Sequence, residues 1–515
     1  MRRRKFVKSV GVLTAATYVY PGKAIEEASG LFHHGKLLEA PSIFFEQDGS
    51  NSAGPEDGPN QPMGRALGGN PGRVVWAWNP GATNPDCKNV IENNNWYFNP
   101  VNFDQKIIDS MFSESILKLT GESKLNKAWD QLFRYHNLKK HNKDRGYTPG
   151  EKIYIKINQG TSDWLLSRED KANGYFVPSY PLKPGARSRG YGAMETGPYI
   201  VLELLRELVN ECGINQSDIS IGDPHKHIFG HNYSYWHKEF PGIRYTDKYS
   251  DAFNRTVVKE TEKVLLFYSD KTMTDRLFDV IEDADYMINL ANFKPHGSAG
   301  ISLTTKNHFG SIAGRASRLH YSTVAPSWET SPRQVGNPNN RGYRKYRAMV
   351  DLMGSKYLGR NTMLFIVDGM FGGGSDETKG PVKYFMPPFN GHWSSSIFMS
   401  QDQVALESVC FDFLRTEWDG NNKHDPANAV WEWVPNMPGV DDHLHQAADP
   451  KNWPDGLIYD PDNSGIPLTS LGVHEHWNNP VDMQYSGNLG KQNGITLVSV
   501  GDYNVKIEKR QKSRT

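Results

Sequence analysis

The clearest periodicity in the chain lies between residues 152 and 223. Ile153, Ile155 and Ile157 alternate with Lys152, Tyr154 and Lys156, the period of a β-strand. Downstream, Ile200, Val201, Leu204, Leu205, Leu208 and Val209 recur at helical spacing. They predict a helix from Pro198 to Cys212, stopped by Gly213. Ile219 to Ile221 then predicts a second strand, ended by Gly222-Asp223. Strand, helix and strand in this order imply parallel strands joined by a right-handed crossover. Between Asn158 and Thr196 the sequence has loop character, and a loop of that length inside a compact unit is usually functional.

Other segments extend the pattern. Arg73 to Trp78 reads as a strand ended by Asn79-Pro80, and residues 103–118 and 124–136 have helical spacing. Short apolar runs, Tyr286 to Leu290, Met363 to Val367 and Ile397 to Met399, fit buried strands. Asp402 can cap a helix running to about Glu417. The expected fold is α/β, with a mixed, mainly parallel sheet, flanking helices and long loops. Four stretches follow: 1–24, a Gly/Pro/Asn-rich linker or surface arm over 25–72, an α/β core over 73–415, and a Trp/Asn/His-rich extension over 416–515.

The first of these carries its own signal. Arg3-Arg4-Lys5-Phe6-Val7-Lys8 fits the twin-arginine export pattern, and the apolar stretch from Val10 to Tyr20 is too short to span a bilayer stably. Ala24 is the best small-residue cleavage site. Export to the periplasm or outside the cell is expected, with the twin-arginine machinery as a partner and no integral membrane segment in the mature chain. That route carries folded proteins, often with a cofactor already installed.

Composition narrows the classes further. Of 515 residues, 37% are hydrophobic and 23% charged, which suits a globular protein. Lys plus Arg and Asp plus Glu each number 58, so no global field draws nucleic acid, and no nucleic-acid partner is expected. Cys87, Cys212 and Cys410 lie far apart without a C-x-x-C, so an iron–sulfur cluster is not expected and the thiols read as small buried residues. The chain's 13 Trp and 48 Gly indicate ordered, aromatic-bearing loops, which can line sugar-binding grooves.

Polar residues gather just after the strand signals: Asn158, Asp223, Lys294, His296, Asp368 and Asp402, with Lys156 near the end of its own strand. In open α/β sheets ligands bind along the carboxyl edge of the parallel strands, so these side chains are expected to converge. Lys156, Lys294, Lys306 and His296 would form an electropositive pocket for a carboxylate or phosphate, and a desolvated Lys there could act as base or nucleophile. Asp223, Asp368 and Asp402 could instead hold a hard cation, or the charges could simply pair with one another. Three His-x-His pairs, His225/His227, His443/His445 and His474/His476, each place two imidazoles on one face of an extended segment. Asp223 with His225 and His227 is the best candidate for a divalent metal. Phe371-Gly372-Gly373-Gly374-Ser375 can cradle an anion or form a plain turn. No G-x-S-x-G, H-E-x-x-H, P-loop or dinucleotide fingerprint occurs.

Six segments stand in a distinctive order: Ile155-Lys156-Ile157-Asn158, Ile221-Gly222-Asp223, Asn292-Phe293-Lys294-Pro295-His296, Thr305-Lys306-Asn307-His308-Phe309-Gly310 with His320 beyond it, Ile366-Val367-Asp368-Gly369, and Ser400-Gln401-Asp402-Gln403-Val404-Ala405. In this order they resemble the domain of unknown function 362 family over about residues 73–415. The resemblance implies an α/β fold and a site, not a reaction. Ile157 replaces a usual proline, Pro295 a small polar residue, and Glu407 an aspartate, and the ferredoxin-like cysteines of many relatives are missing. Gly310 is expected to take a positive φ and to turn Lys306 and Asn307 toward the cleft. The leading expectation is an exported enzyme acting on a small anionic or polyhydroxy ligand. In it Lys294, His296 and Lys306 are acid, base or electrostatic groups, and Lys156, Asn158, Asp223, Asn307, Asp368 and Asp402 bind the ligand. The alternative is a non-catalytic glycan-binding protein using aromatic loops.

Overall fold

The computed structural model describes residues 54–89, 95–160, 195–248, 255–324, 342–374, 380–422 and 434–501. The twin-arginine stretch, the start of the arm, most of the loop between Asn158 and Thr196, and Ser375 lie outside them.

Nine strands form the main sheet: β1 (Arg73–Trp78), β2 (Ile153–Lys156), β3 (Ile219–Gly222), β4 (Arg244–Asp247), β5 (Thr256–Val257), β6 (Tyr286–Asn292), β7 (Thr362–Gly369), β8 (Ser396–Ser400) and β9 (Thr496–Gly501). Their spatial order is β9-β1-β8-β7-β6-β2-β3-β4-β5. Every neighbouring pair is parallel except the two made by β8, which runs against β7 and β1. The fold is therefore α/β with a mixed, mainly parallel sheet, as the sequence pattern implies.

Chain order explains where a ligand would sit. From β2 the sheet grows through β3, β4 and β5 in one direction. The chain then returns to the other side of β2 with β6 and continues to β7. The reversal falls between β2 and β6, and such switch points open a crevice at the carboxyl ends of the strands.

Both faces of the sheet are covered, which is why its strands read as near-continuous apolar runs. On one face Ile153, Ile155, Ile219, Ile221, Ile288, Leu290 and Ile366 pack with three helices, α1 (Gln105–Thr120), α2 (Leu125–His141) and α3 (Pro198–Arg206). The crossover helix α3 loosens into a π turn over Glu207–Glu211 before Cys212 and Gly213, the latter at φ 68. On the other face Trp76, Phe365, Val367 and Phe398 meet Leu406, Val409, Cys410 and Phe413. The last four belong to α5 (Gln403–Glu417); the short α4 (Thr304–Asn307) and α6 (Asp442–Ala448) precede and follow it. No described helix is long and apolar enough to cross a membrane.

The described part of the arm is tied into the body. Met63–Gly64 pairs with Val473–His474, Asn60 N–H donates to the His476 carbonyl, and Leu67 N–H donates to Asp402 Oδ2.

Candidate functional site

β2, β3, β6 and β7 are parallel and in register, with Lys156 opposite both Gly222 and Asn289, and Asp368 opposite Asn292. Their carboxyl ends thus place Asn158, Asp223, Asn292 and Asp368 along one edge. Asp402 is not among them. Because β8 is antiparallel, its carboxyl end lies at the opposite edge. There Asp402 caps α5, accepting from Ala405 N–H at 3.0 Å, and also accepts from Leu67 and Val473 N–H. Its geometry is that of a cap and a tether, not of a ligand contact at the crevice.

The remaining candidates separate into two groups on either side of one short segment. The first is sealed. Lys156 is fully buried, and its Nζ donates to the Ile157 carbonyl at 2.6 Å and to Asn307 Oδ1 at 3.0 Å, and stands 3.4 Å from Asp223 Oδ1. Burial pushes the ammonium pKa down, and the Asp223 charge opposes that shift. Asn307 Nδ2 donates to Asn289 Oδ1 and lies within reach of the Lys156 and Leu290 carbonyls. Asn289 in turn bonds the Thr304 carbonyl and His308 Nε2. Polar capacity here is used up by protein groups.

Gly310 closes this group. It is not in the left-handed region, so the expected positive φ is absent, and the Thr304–Gly310 segment is helical instead. A Cβ at this position would meet Asp223 Oδ1 at 2.6 Å and Lys156 Nζ at 3.1 Å. Glycine is required for close approach rather than for backbone torsion.

The second group is basic. Lys294 and His296 sit on a short hairpin strand, Lys294–His296, which pairs with Gly300–Ser302 just beyond the end of β6. His296 Nδ1 accepts from the Ser298 and Ala299 N–H groups, so its proton is on Nε2. The His320 ring stacks on His296 with centroids 5.2 Å apart. His320 Nδ1 lies 3.0 Å from the Ser317 carbonyl and donates to it, which leaves the Nε2 lone pair shielded and without a partner among the described residues. Lys306 Nζ lies 4.0 Å over the Phe309 ring, which also touches His320. Burial, then the Lys306 charge, holds both imidazoles well below their usual range, and Lys294 adds to the effect on His296. Both rings are neutral at physiological pH. In the sequence His320 is marked only as the residue beyond a lysine–asparagine segment; the 3-10 turn Ala316–Ser322 brings it onto His296.

Asp368 lies between the sheet edge and the loop that leads to α3. It accepts from Met370 and Gly197 N–H, and burial raises its pKa to about 7. Asn158 exchanges hydrogen bonds with Thr196 across the ends of the long loop. In the glycine turn, Gly372 N–H donates to Ser394 Oγ and Gly373 N–H to the Phe293 carbonyl, which is the bonding of a turn packed against Lys294.

The proposed Asp223/His225/His227 metal set does not converge. His225 Nδ1 faces Lys248 Nζ at 3.0 Å and its Nε2 bonds the Ile312 carbonyl, while His227 Nδ1 pairs with Asp247 at 2.7 Å. A group that could hold a metal lies elsewhere. Asp57, Asp441, His445 and His474 bring one ligand atom each to within 4.8 Å of one another. One member of each of the two later His-x-His pairs takes part. Of the others, His443 faces Glu407 at 3.3 Å and His476 is held by Asp412 at 2.8 Å. Burial alone would lower the His476 pKa, but Asp412 and Asp57 raise it to about 9.

Residues 187–412 match the family model described as Domain of unknown function (DUF362). The match takes in the basic group, Asp223, Asp368 and most of α5; it excludes Lys156 and all four residues of the Asp57 cluster. No curated protein and no solved structure matches the chain.

Proposed function

We propose that the chain is an exported enzyme that binds a small oxyanionic ligand, a carboxylate or a phosphate, beyond β6 and performs acid–base chemistry on it. One observation carries the reading: the stacked His296–His320 pair is flanked by the Lys294 and Lys306 ammonium groups next to the switch point of the sheet. The lysines hold the anion, His296 Nε2–H donates a hydrogen bond to it, and His320 Nε2 accepts a proton from the ligand as general base. A bound anion offsets the cations that depress His320 and so makes it a better base.

Export rests on the twin-arginine pattern at Arg3-Arg4; replacing both by lysine retains the protein in the cytoplasm. The glycan alternative needs an open aromatic platform, and the Trp side chains among the described residues are buried or half-buried.

The test is calorimetric titration of the full chain with inorganic phosphate and with malonate. Saturable binding of either is expected. Lys294→Met should weaken it by about 10-fold or more, the worth of one charge-assisted hydrogen bond. Absence of saturable binding to both probes, or unchanged affinity in Lys294→Met, overturns the assignment.

A further inference from the structure

The Asp57 cluster shares no residue with the basic group and joins three distant pieces of sequence: the arm, helix α6 with its N-cap, and the strand Val473–His474. Asp57 is half-exposed, while Asp441, His445 and His474 are buried. His445 Nε2 stands 3.0 Å from Asp57 Oδ2 and 3.9 Å from Asp441 Oδ2.

The His474 ring supplies the independent clue. Ser408 Oγ donates to the Val404 carbonyl at 2.7 Å, so it receives the His474 Nδ1 proton at 2.8 Å. The lone pair is then on His474 Nε2, which is fully buried and has no hydrogen-bond partner among the described residues. A buried imidazole whose outer nitrogen is fixed by a hydroxyl, and whose inner nitrogen is left bare among carboxylates, is the usual posture of a metal ligand.

A second outer contact has the same character. Asp412 fixes His476 Nδ1, and His476 Nε2 reaches Asp57 Oδ2 at 3.4 Å, orienting the arm's carboxylate. Ser408 and Asp412 are one helical turn apart on α5, so a single helix supports both contacts.

We infer that Asp57, Asp441, His445 and His474 form a binding site for a divalent transition metal of the zinc class. Two imidazoles and two carboxylates make a nitrogen–oxygen set suited to zinc and its neighbours, whereas calcium and magnesium prefer all-oxygen sets. Tetrahedral zinc with bonds of about 2.1 Å has ligand–ligand edges of about 3.4 Å, so the donors draw together on the ion from their present span. The two ligating carboxylates neutralise the dication and the ligating imidazoles add no charge, while His476, protonated beside Asp57, is paired with Asp412 outside the ligand set. The ion would tie the arm to the C-terminal extension, through the face on which Asp57 remains accessible.

The experiment uses the full chain, stripped with a chelator and titrated with zinc alone by calorimetry and with cobalt alone by visible absorption. The expected result is one ion per chain, the d–d bands of a low-coordinate nitrogen–oxygen cobalt site, and a zinc-dependent rise in melting temperature. Asp57→Asn, a change at the half-exposed ligand, should abolish stoichiometric binding and the melting shift together. Ser408→Ala acts only through the positioning of His474 and should weaken zinc by about 10- to 100-fold. His392→Ala, at an exposed imidazole elsewhere, should change nothing. No saturable zinc or cobalt binding by the unaltered chain, or undiminished binding by Asp57→Asn, overturns the assignment.

Discussion

Lys156 Nζ stands 3.4 Å from Asp223 Oδ1 with both side chains shut away from solvent, and Gly310 passes over the pair. A charge pair so placed is sustained by its remaining hydrogen bonds rather than by attraction alone. The Ile157 carbonyl and Asn307 take two of the lysine's protons, and Gln159 and His225 N–H groups donate to the aspartate. The pair therefore fixes the ends of β2 and β3 against the segment that carries Lys306.

Replacing Gly310 with alanine tests that closure. The new methyl would fall 2.6 Å from Asp223 Oδ1, too near for any carbon, and backbone or pair must shift. Overpacking of this kind costs about 1–3 kcal/mol. Urea denaturation of Gly310→Ala should show that loss, and a variant as stable as the parent would mean that the segment does not seal the pair.

Lys156→Met removes one charge and leaves the other. A buried partner stranded in this way typically costs about 3–5 kcal/mol. The double variant Lys156→Met/Asp223→Asn should recover part of it, because no unpaired charge remains. Double-mutant denaturation curves decide: a double variant no better than the single would remove the ion pair from the account.

Much of the sheet and its flanking helices is legible in the sequence, and the reasons are local. The strand Arg73–Trp78 and the helix from Gln403 to Glu417 are bounded by Asn79-Pro80 and by the Asp402 cap, signals written within a few residues. Direction was not legible for β8. The run around Ile397–Met399 has the same apolar pattern whichever way it runs, so Asp402 was assigned to an edge that only antiparallel pairing denies it. The strands β4 (Arg244–Asp247) and β5 (Thr256–Val257) carry too few apolar residues to show a period. The grouping of the histidines is hidden from the sequence for a related reason. His-x-His spacing shows which imidazoles share a face, but the structure draws His445 and His474 from different pairs and adds Asp57 from an arm more than 380 residues away.

Acidity should separate one further group. Glu207, at the π turn after α3, is buried, and burial raises its pKa to about 7 although Ser113 Oγ and Trp129 Nε1 donate to it. Its folded value lies above the unfolded value of about 4.3. Below pH ~4 both states are protonated and the group costs nothing. As pH rises from there to about 7 the unfolded chain ionises first, so stability falls, and above pH ~7 the full cost remains. Relative to Glu207→Gln, the parent should lose on the order of 3 kcal/mol between pH 4 and pH 8. Stability curves of the two proteins that stay parallel across that range would assign Glu207 an ordinary acidity.

Lys306 and Asn307 are neighbours in sequence and should respond in opposite ways. Asn307 is buried and bonded through both ends of its amide, to Lys156 Nζ and to Asn289 Oδ1. Asn307→Ala leaves these partners without a counterpart in a sealed place, and each orphaned group costs about 1–3 kcal/mol. A loss of several kcal/mol in denaturation experiments is expected. Lys306 is only half-buried and rests on the Phe309 ring, a contact worth about 0.5–1 kcal/mol at an accessible position. Its removal also relieves the field that depresses His296 and His320. Lys306→Ala should therefore melt within a few degrees of the parent and yet bind phosphate or malonate more weakly. The two rings should then titrate closer to the ordinary histidine range, which imidazole NMR shifts can follow. Should Lys306→Ala prove the less stable of the two variants, the lysine is a structural strut, and the acid–base reading loses one of its two cations.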